Sequence, residues 1–301
     1  MGSFEVTIIS ILVMIFLGYI AKRIGLLSIN DVESLIKIVI NIAMPCMVFN
    51  ALYTADMSIF SQVTIMPFIG LITGFIVGTA VYLILKFKKY PKKRIWTIVI
   101  TVIMGNTAFV GFPILLGIYG NQGLIRGIFF DISSIVVFLI MSFILMMVFG
   151  GSIKKALKKI LTFPPLWAVI LGIGFNLLHI PIGSIPTTVI NYLAGAAIPL
   201  IMIALGLSLR LNGLKWNFNT IISTSIIKLL IYPLVAFCVI TLLGLTGLNH
   251  NVGVIEAAMP SGMLILVLAI TYDLDFRLAS DCIFTNTIFS LITIPIIISL
   301  L

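Results

Sequence analysis

The stretch Met104–Gly120, MGNTAFVGFPILLGIYG, lies in an apolar run long enough to cross a bilayer, yet its residues interrupt a helix. Gly111 and its neighbouring glycines loosen the backbone, and Pro113 removes a backbone donor and disfavours helical geometry before it. Unpaired backbone inside a membrane survives only where protein encloses it, and helix ends that face such a cavity bind ions and anions. The stretch therefore predicts a binding site at a broken membrane helix, with Asn106 and Thr107 beside the break.

The composition is that of a membrane protein. Of 301 residues, 61% are hydrophobic and 9% are charged, whereas soluble domains are about 45–50% apolar and about 25% charged. The net charge of +9 lies mostly in the loops between apolar segments, so it indicates membrane topology and no nucleic-acid partner. We therefore predict an all-α polytopic membrane protein with no sizeable soluble domain.

Hydropathy and length divide the chain into ten candidate membrane spans. They cover residues 4–21, 34–53, 61–86, 95–119, 126–149, 165–180, 188–209, 217–244, 251–271 and 278–300. Basic residues follow the odd-numbered spans, while the even-numbered connections carry only Arg126. By the positive-inside rule the odd-numbered loops are cytoplasmic, which places both termini outside the plasma (cytoplasmic) membrane.

Corresponding features recur in the two halves of the chain at an interval of about 150 residues. The matched positions are Pro45 with Pro199, Pro113 with Pro260, and Asp131 with Asp281. Because each half has five spans, the second copy is inverted in the membrane. We predict a first repeat over residues 1–149, a cytoplasmic linker over 150–164 and a second repeat over 165–301. Inverted repeats with matching broken helices indicate a secondary transporter whose site lies where the breaks meet.

Four motifs resemble the auxin efflux carrier family, which includes plant PIN-type auxin exporters and bacterial permeases for malate and related acids. They are NIAMPCMVF in span 2, GNTAFVGFPILLGIYG in span 4, ALGLSL in span 7 and AAMPSGMLILVLA in span 9. The resemblance covers essentially the whole chain. It implies a ten-helix fold similar to sodium/proton antiporters, with crossed, broken fourth and ninth helices.

The resemblance also implies a division of labour among the helices. Spans 1, 2, 6 and 7 would form a scaffold through which a homodimer packs, and spans 3–5 and 8–10 would form a transport domain that slides in an elevator motion. The motif residues Asn106 and Pro113 would contact substrate at the first crossover, and Pro260, Ser261 and Gly262 at the second. Plant members tend to carry an uncharged amide where this chain has Glu256.

Two ionisable residues lie deep inside predicted spans, where charge is costly and usually functional. Glu256 has the chemistry to take up a proton or to coordinate sodium, or it serves as a structural partner for Lys228. Lys228 lies near the middle of span 8, where its ammonium either replaces a bound sodium ion or pairs with Glu256.

Three further polar residues are candidates for the same site. Asp131 and Asp281 each follow an arginine near the start of a predicted helix, which suits a helix cap with an arginine pair, or else a proton relay. Asn41, on span 2, is placed to face the site from the scaffold side.

We therefore expect a gradient-driven transporter of a small organic anion, a carboxylate such as malate, coupled to H⁺ or Na⁺ and using no metal centre or other cofactor. The family and the scarcity of arginines within the spans support this substrate class, and the absence of a GxxxxGK[ST] loop argues against nucleotide energy. A sodium-coupled symporter or a sodium/proton antiporter is the alternative within this class. A polytopic receptor and a membrane-embedded enzyme are alternatives of other classes, although the chain lacks an HExxH cluster.

Overall fold

The computed structural model describes residues 3–56, 58–209 and 218–301, and within these ranges the chain is helical, with no β-strand. Its α-helices are α1 (Ser3–Arg23), α2 (Asp31–Ile38), α3 (Met44–Tyr53), α4 (Ser58–Val63), α5 (Met66–Phe87), α6 (Lys92–Ile103), α7 (Phe112–Phe149), α8 (Lys154–Leu161), α9 (Pro164–Leu177), α10 (Ser184–Ser208), α11 (Phe218–Ile226), α12 (Tyr232–Leu242), α13 (Gly247–Ala257), α14 (Leu264–Thr271) and α15 (Phe276–Ser299).

Within the described residues, seven helical segments are long and apolar enough to cross a membrane. They are Glu5–Arg23, Asp31–Tyr53, Ser58–Phe87, Thr107–Phe149, Ser184–Ser208, Phe218–Leu242 and Phe276–Ser299. The chain is therefore a multi-pass membrane protein, as its composition predicts. The count of ten spans stays a prediction. The single segment Thr107–Phe149 covers parts of predicted spans 4 and 5, α9 is shorter than a full span, and span 9 is divided between α13 and α14.

Three π-helical turns interrupt the long segments, and each ends two residues before a proline. The pairs are Val39–Ala43 before Pro45, Thr107–Gly111 before Pro113, and Ile227–Ile231 before Pro233. Proline has no N–H to donate and its ring clashes with the carbonyl four residues earlier. A locally wider turn relieves that clash without ending the helix, which explains why these prolines sit inside continuous segments.

The chain forms two compact units. The described parts of Met1–Gln62, Pro113–Ile125 and Lys159–Arg210 make up unit 1. Within it, α1 and α10 pack with their backbones in close contact at two glycines: a Cβ on Gly18 would lie 3.0 Å from the Ile203 carbonyl carbon, and one on Gly206 would lie 2.9 Å from that of Ile15. Small residues at such crossings let two membrane helices approach closely and pack by van der Waals contact. This packing matters because lipid tails are as apolar as the helix surfaces, so no hydrophobic effect drives the helices together.

Unit 2 comprises Val63–Phe112, Arg126–Lys158 and the described part of Leu211–Leu301. In this unit α5 packs against α6 and α12, and α12 packs against α13. The long helix α7 contributes to both units and bends at Gly120, whose φ of 59° is a left-handed conformation that glycine adopts easily. The bend falls where the sequence analysis separates spans 4 and 5. All the paired contacts of the candidate site described below lie within unit 2.

Candidate functional site

The first break in the helices lies at Met104–Asn106. Helix α6 ends at Ile103, Met104 is extended (φ −100°, ψ 108°), and helical geometry resumes at Thr107. The break therefore precedes Pro113, where the sequence analysis placed it. Pro113 is instead the second residue of α7, inside a helical run that already begins with the π-helical turn at Thr107, and that wider turn accommodates the missing N–H of the proline.

The second break separates α13, which ends at Ala257, from α14, which begins at Leu264. Here the proline, Pro260, lies inside the non-helical segment. Pro260 and Ser261 are both buried, so the main chain of this segment needs partners within the protein.

The two breaks satisfy each other's main chain. Asn106 donates its N–H to the carbonyl of Pro260 (2.6 Å), and Gly262 donates its N–H to the carbonyl of Met104 (3.0 Å). Together these bonds form a short antiparallel bridge between Gly105 and Ser261. Non-helical backbone in a membrane protein is tolerated when it is buried and paired in this way.

Side chains reinforce the bridge on the side of the second break. Ser261 donates its hydroxyl to the carbonyl of Thr101 (2.6 Å), and the Asn286 amide donates to the Ser261 hydroxyl (2.7 Å). A Cβ on Gly262 would lie only 2.6 Å from the carbonyl oxygen of Gly105. Glycine at that position is therefore what lets the two chains approach.

Glu256 is buried one turn before the second break, with 1% of its surface exposed. Neither carboxylate oxygen has a hydrogen-bond partner among the described residues. The carboxylate lies against Gly111, where an added Cβ would come within 2.8 Å of the Glu256 carboxyl carbon. The charged groups that act on it are Asp131 and Lys228. An acid buried without donors is costly, and such groups within membranes are usually functional.

Lys228 lies in the π-helical turn Ile227–Ile231 and is also 1% exposed. Its ammonium lies 4.0 Å from the centre of the Tyr232 ring and 3.5 Å from the carbonyl oxygen of Ala257. A cation–π contact and a carbonyl acceptor are interactions that an ammonium group can make. The structure thus holds the lysine beside the segment that carries Glu256.

Asp131 joins the site through the first break. The Thr107 hydroxyl donates to its carboxylate and lies 3.3 Å from the Ser134 hydroxyl. Arg126, the arginine that precedes Asp131, donates instead to the side-chain carbonyl of Asn249 (2.6 Å). The structure therefore connects Asp131 to Thr107 and to the charge of Glu256.

A small cavity of about 10 Å³ lies at the centre of these groups. Its lining includes Gly105, Thr107, Ser134, Lys228 and Glu256. That volume suits one water molecule or a monatomic ion and not an organic acid. The arrangement can therefore hold a proton or one small ion between acidic, basic and hydroxyl groups.

Two candidate residues lie elsewhere. The charges that act on Asp281 are those of Arg277 and Asp275, and the α15 cap is Asp275, which accepts from the Leu278 N–H (3.0 Å). Asn41 is exposed in unit 1, where its amide donates to the carbonyl of Lys37 (2.7 Å). The proposed roles of Asp281 and Asn41 stay predictions.

Sequence reasoning missed three residues of the site: Ser134, Tyr232 and Asn286. Two had a local signal, since Tyr232 follows Lys228 by four residues and Ser134 follows Asp131 by three, and such pairs share a helix face. Asn286 contacts Ser261 across a large sequence separation, and no local pattern in the sequence marks that pairing.

Comparison with known proteins identifies the family of the chain. Residues 4–298 match the family described as membrane transport protein. The chain is 42% identical to an uncharacterized transporter of Methanothermobacter thermautotrophicus, over 98% of this chain and 97% of the relative. It is 34% identical to an uncharacterized transporter of Methanocaldococcus jannaschii, over 96% of each. The chain therefore belongs to the membrane transport protein family of auxin efflux-like carriers, and it is a transporter and not an enzyme.

Proposed function

We propose that the protein is a secondary active transporter that moves a small organic anion, such as malate or another carboxylate, across the membrane and is driven by an ion gradient. The observation that carries the proposal is the bridge between the two breaks, Met104–Asn106 and residues 258–263. A helical segment starts immediately after each break, at Thr107 and at Leu264. The first N–H groups of a helix lack partners within it and attract negative charge.

The anion would bind at these helix starts, beside Asn106, Thr107 and the Pro260–Gly262 backbone. The cavity of about 10 Å³ beneath them is too small for a carboxylic acid, so substrate entry requires the segments around it to move. An elevator motion of a transport domain against a scaffold supplies such a movement. In support, spans 1, 2, 6 and 7 fall in unit 1, whereas the paired breaks fall in unit 2. One difference from the expected division is that Pro113–Ile125, the second half of span 4, falls in unit 1.

Ion coupling is proposed for the buried cluster of Glu256, Asp131 and Lys228. With every group ionised, the cluster carries one more negative than positive charge. A buried charge without compensation is costly, so the cluster favours uptake of one proton or one sodium ion. Lys228 would then act as a built-in cation that partly balances the carboxylates while no proton or sodium ion is bound. Sodium-coupled symport and sodium/proton antiport use the same cluster and remain the alternative functions.

A counterflow assay in liposomes tests the proposal. Purified protein is reconstituted, preloaded with unlabelled malate or another organic acid, and offered the labelled acid, with and without a proton or sodium gradient. We expect exchange without a gradient and accumulation with one. A receptor or structural protein would show neither, and accumulation driven only by sodium would select the sodium-coupled alternative.

An Asn106→Ala variant links transport to the bridge. Asn106 would lose its side-chain contact with the anion while keeping the backbone bond to Pro260. We expect exchange to fall at least about ten-fold, the loss of one charge-assisted contact. The matched control is Asn191→Ala, which removes the same side chain from an exposed position on α10 that has no proposed role in binding. Equal exchange by Asn106→Ala and wild type would remove this residue from the binding site.

A further inference from the structure

A second pocket, of about 190 Å³, lies in unit 2 away from the buried cluster. It is formed where α5 ends, where α6 begins and where α11 begins. Its lining includes the apolar side chains of Ile84, Leu85 and Ile227 (the apolar wall) and the polar side chains of Lys88, Thr220 and Ser223 (the polar wall). The pocket is therefore amphipathic, unlike the small cavity beside Glu256.

The polar wall carries positive charge. Lys88, the residue that caps the end of α5, is exposed. Arg94 donates to the Thr220 hydroxyl (2.6 Å), and its guanidinium lies 5.4 Å from the centre of the Tyr90 ring, another residue of the wall. Among the described lining residues none is acidic. An anionic group would thus meet a lysine, a nearby guanidinium and hydroxyl donors without charge repulsion.

The apolar wall includes an exposed residue at the end of a membrane-spanning segment. Ile84 is 55% exposed and lies in the last turn of a segment long enough to span the membrane, Ser58–Phe87. The pocket therefore lies at the end of a span, at the depth where lipid head groups meet acyl chains. A soluble anion would leave the apolar wall unused, whereas an amphiphile covers both walls.

We propose that this pocket binds an anionic phospholipid, with the head group at Lys88 and Thr220 and the first methylenes of its chains against Ile84 and Leu85. The bound lipid would tie α5, α6 and α11 together at one face of unit 2. Lipid binding at this pocket depends neither on the identity of the transported substrate nor on the coupling ion.

The test is the thermal stabilisation of purified full-length protein in zwitterionic detergent, titrated with phosphatidylglycerol or with phosphatidylcholine. We expect saturable stabilisation by phosphatidylglycerol alone. Lys88→Gln should weaken the apparent affinity about five-fold, the effect of about one lysine charge at an anionic lipid surface. The matched control is Lys86→Gln, which removes the same charge from a lysine that lies over the Tyr82 ring and not in the pocket.

A second variant, Ser223→Trp, fills the pocket without changing its charge and should abolish the stabilisation by lipid. Because Ser223 is exposed, the melting temperature of this variant without lipid should stay near that of the wild type. Equal losses in Lys86→Gln and Lys88→Gln would overturn the proposal in favour of general attraction by the basic loop. Equal stabilisation by phosphatidylcholine, or by free glycerol phosphate, would overturn it as well, the latter in favour of a soluble-anion site.

Discussion

The two breaks occupy matching places in the chain but are built differently. In the first break, Gly105 lies in the non-helical segment and the proline, Pro113, lies within the helical segment that follows it. In the second break, Pro260 lies within the non-helical segment itself. The backbone bonds run in both directions between them. One break therefore depends on its partner as much as on its own proline, which is why neither is a simple proline kink.

The side chains around the breaks also differ in charge. At the first break, Thr107 donates to the Asp131 carboxylate. At the second, Ser261 and Asn286 form a neutral network. Glu256 belongs to the second segment, yet its carboxylate lies against Gly111 of the first. We infer that the first break is the ion-sensitive side of the site and that the second break holds the two segments in register.

The largest expected effect comes from Glu256→Gln, which removes the acid that bridges the two sides. Because the amide keeps the shape but cannot ionise, we expect gradient-driven accumulation to be abolished while exchange survives. Counterflow and accumulation, measured on the same proteoliposomes, check this. Glu33→Gln is the matched control, since Glu33 is exposed and pairs with Lys37 on its own helix. Unchanged accumulation in Glu256→Gln would remove Glu256 from coupling.

Substitutions at Gly262 and Gly111, the two glycines that permit close approach, should distinguish the break that holds the segments in register from the break that responds to ions. In Gly262→Ala the new methyl group meets main chain at Gly105 (2.6 Å), which cannot rotate away. We expect a loss of about 3 kcal/mol, the upper range for overpacking, measured as a lower melting temperature in detergent, and a loss of exchange.

In Gly111→Ala the methyl group meets a side chain, the Glu256 carboxylate, which can turn aside. This variant should lose accumulation before it loses stability. Gly195→Ala serves as the control for both, because a Cβ there meets nothing within 4 Å. Equal destabilisation by the two glycine variants would argue against the distinction between the breaks.

The hydroxyls on the two sides test the difference in charge at smaller scale. Thr107→Val removes a hydrogen bond to a carboxylate, a loss of about 1.5–3 kcal/mol, whereas Ser261→Ala removes two bonds to neutral groups, about 1 kcal/mol each. We expect the melting temperature to fall by similar amounts in the two variants. Only Thr107→Val should shift the dependence of exchange on pH or sodium. A shift of that dependence in Ser261→Ala would reverse the assignment of the two sides.

Much of the site was predictable because membrane burial makes polar residues conspicuous. Asn106, Thr107, Glu256 and Lys228 stand out in apolar spans, and the structure brings them together in one unit. The position of the first break was not predictable, since a π-helical turn lets the helix continue through Pro113. The π-helical turns are also invisible in hydropathy, although each precedes a proline.

Local sequence patterns could not predict which residues pair over long range. The bond between Asn286 and Ser261, and the contact of Gly111 with Glu256, join residues far apart in sequence. Periodicity predicts the face of a helix and not its neighbour. The matched breaks in the two halves indicated only that the segments should meet.

The smallest effect is expected at the first proline. Pro113 follows the π-helical turn Thr107–Gly111, which already accommodates its missing N–H, so Pro113→Ala should cost less than about 1 kcal/mol, the entropy that proline removes from the unfolded chain. Pro260 lies in the break, and Pro260→Ala frees a segment whose carbonyl must accept from Asn106. We therefore expect exchange to be nearly intact in Pro113→Ala and lost in Pro260→Ala, with both proteins folded by size-exclusion chromatography. Loss of exchange in both variants would mean that Pro113 also shapes the break, through the π-helical turn before it, and the two breaks would then be equivalent after all.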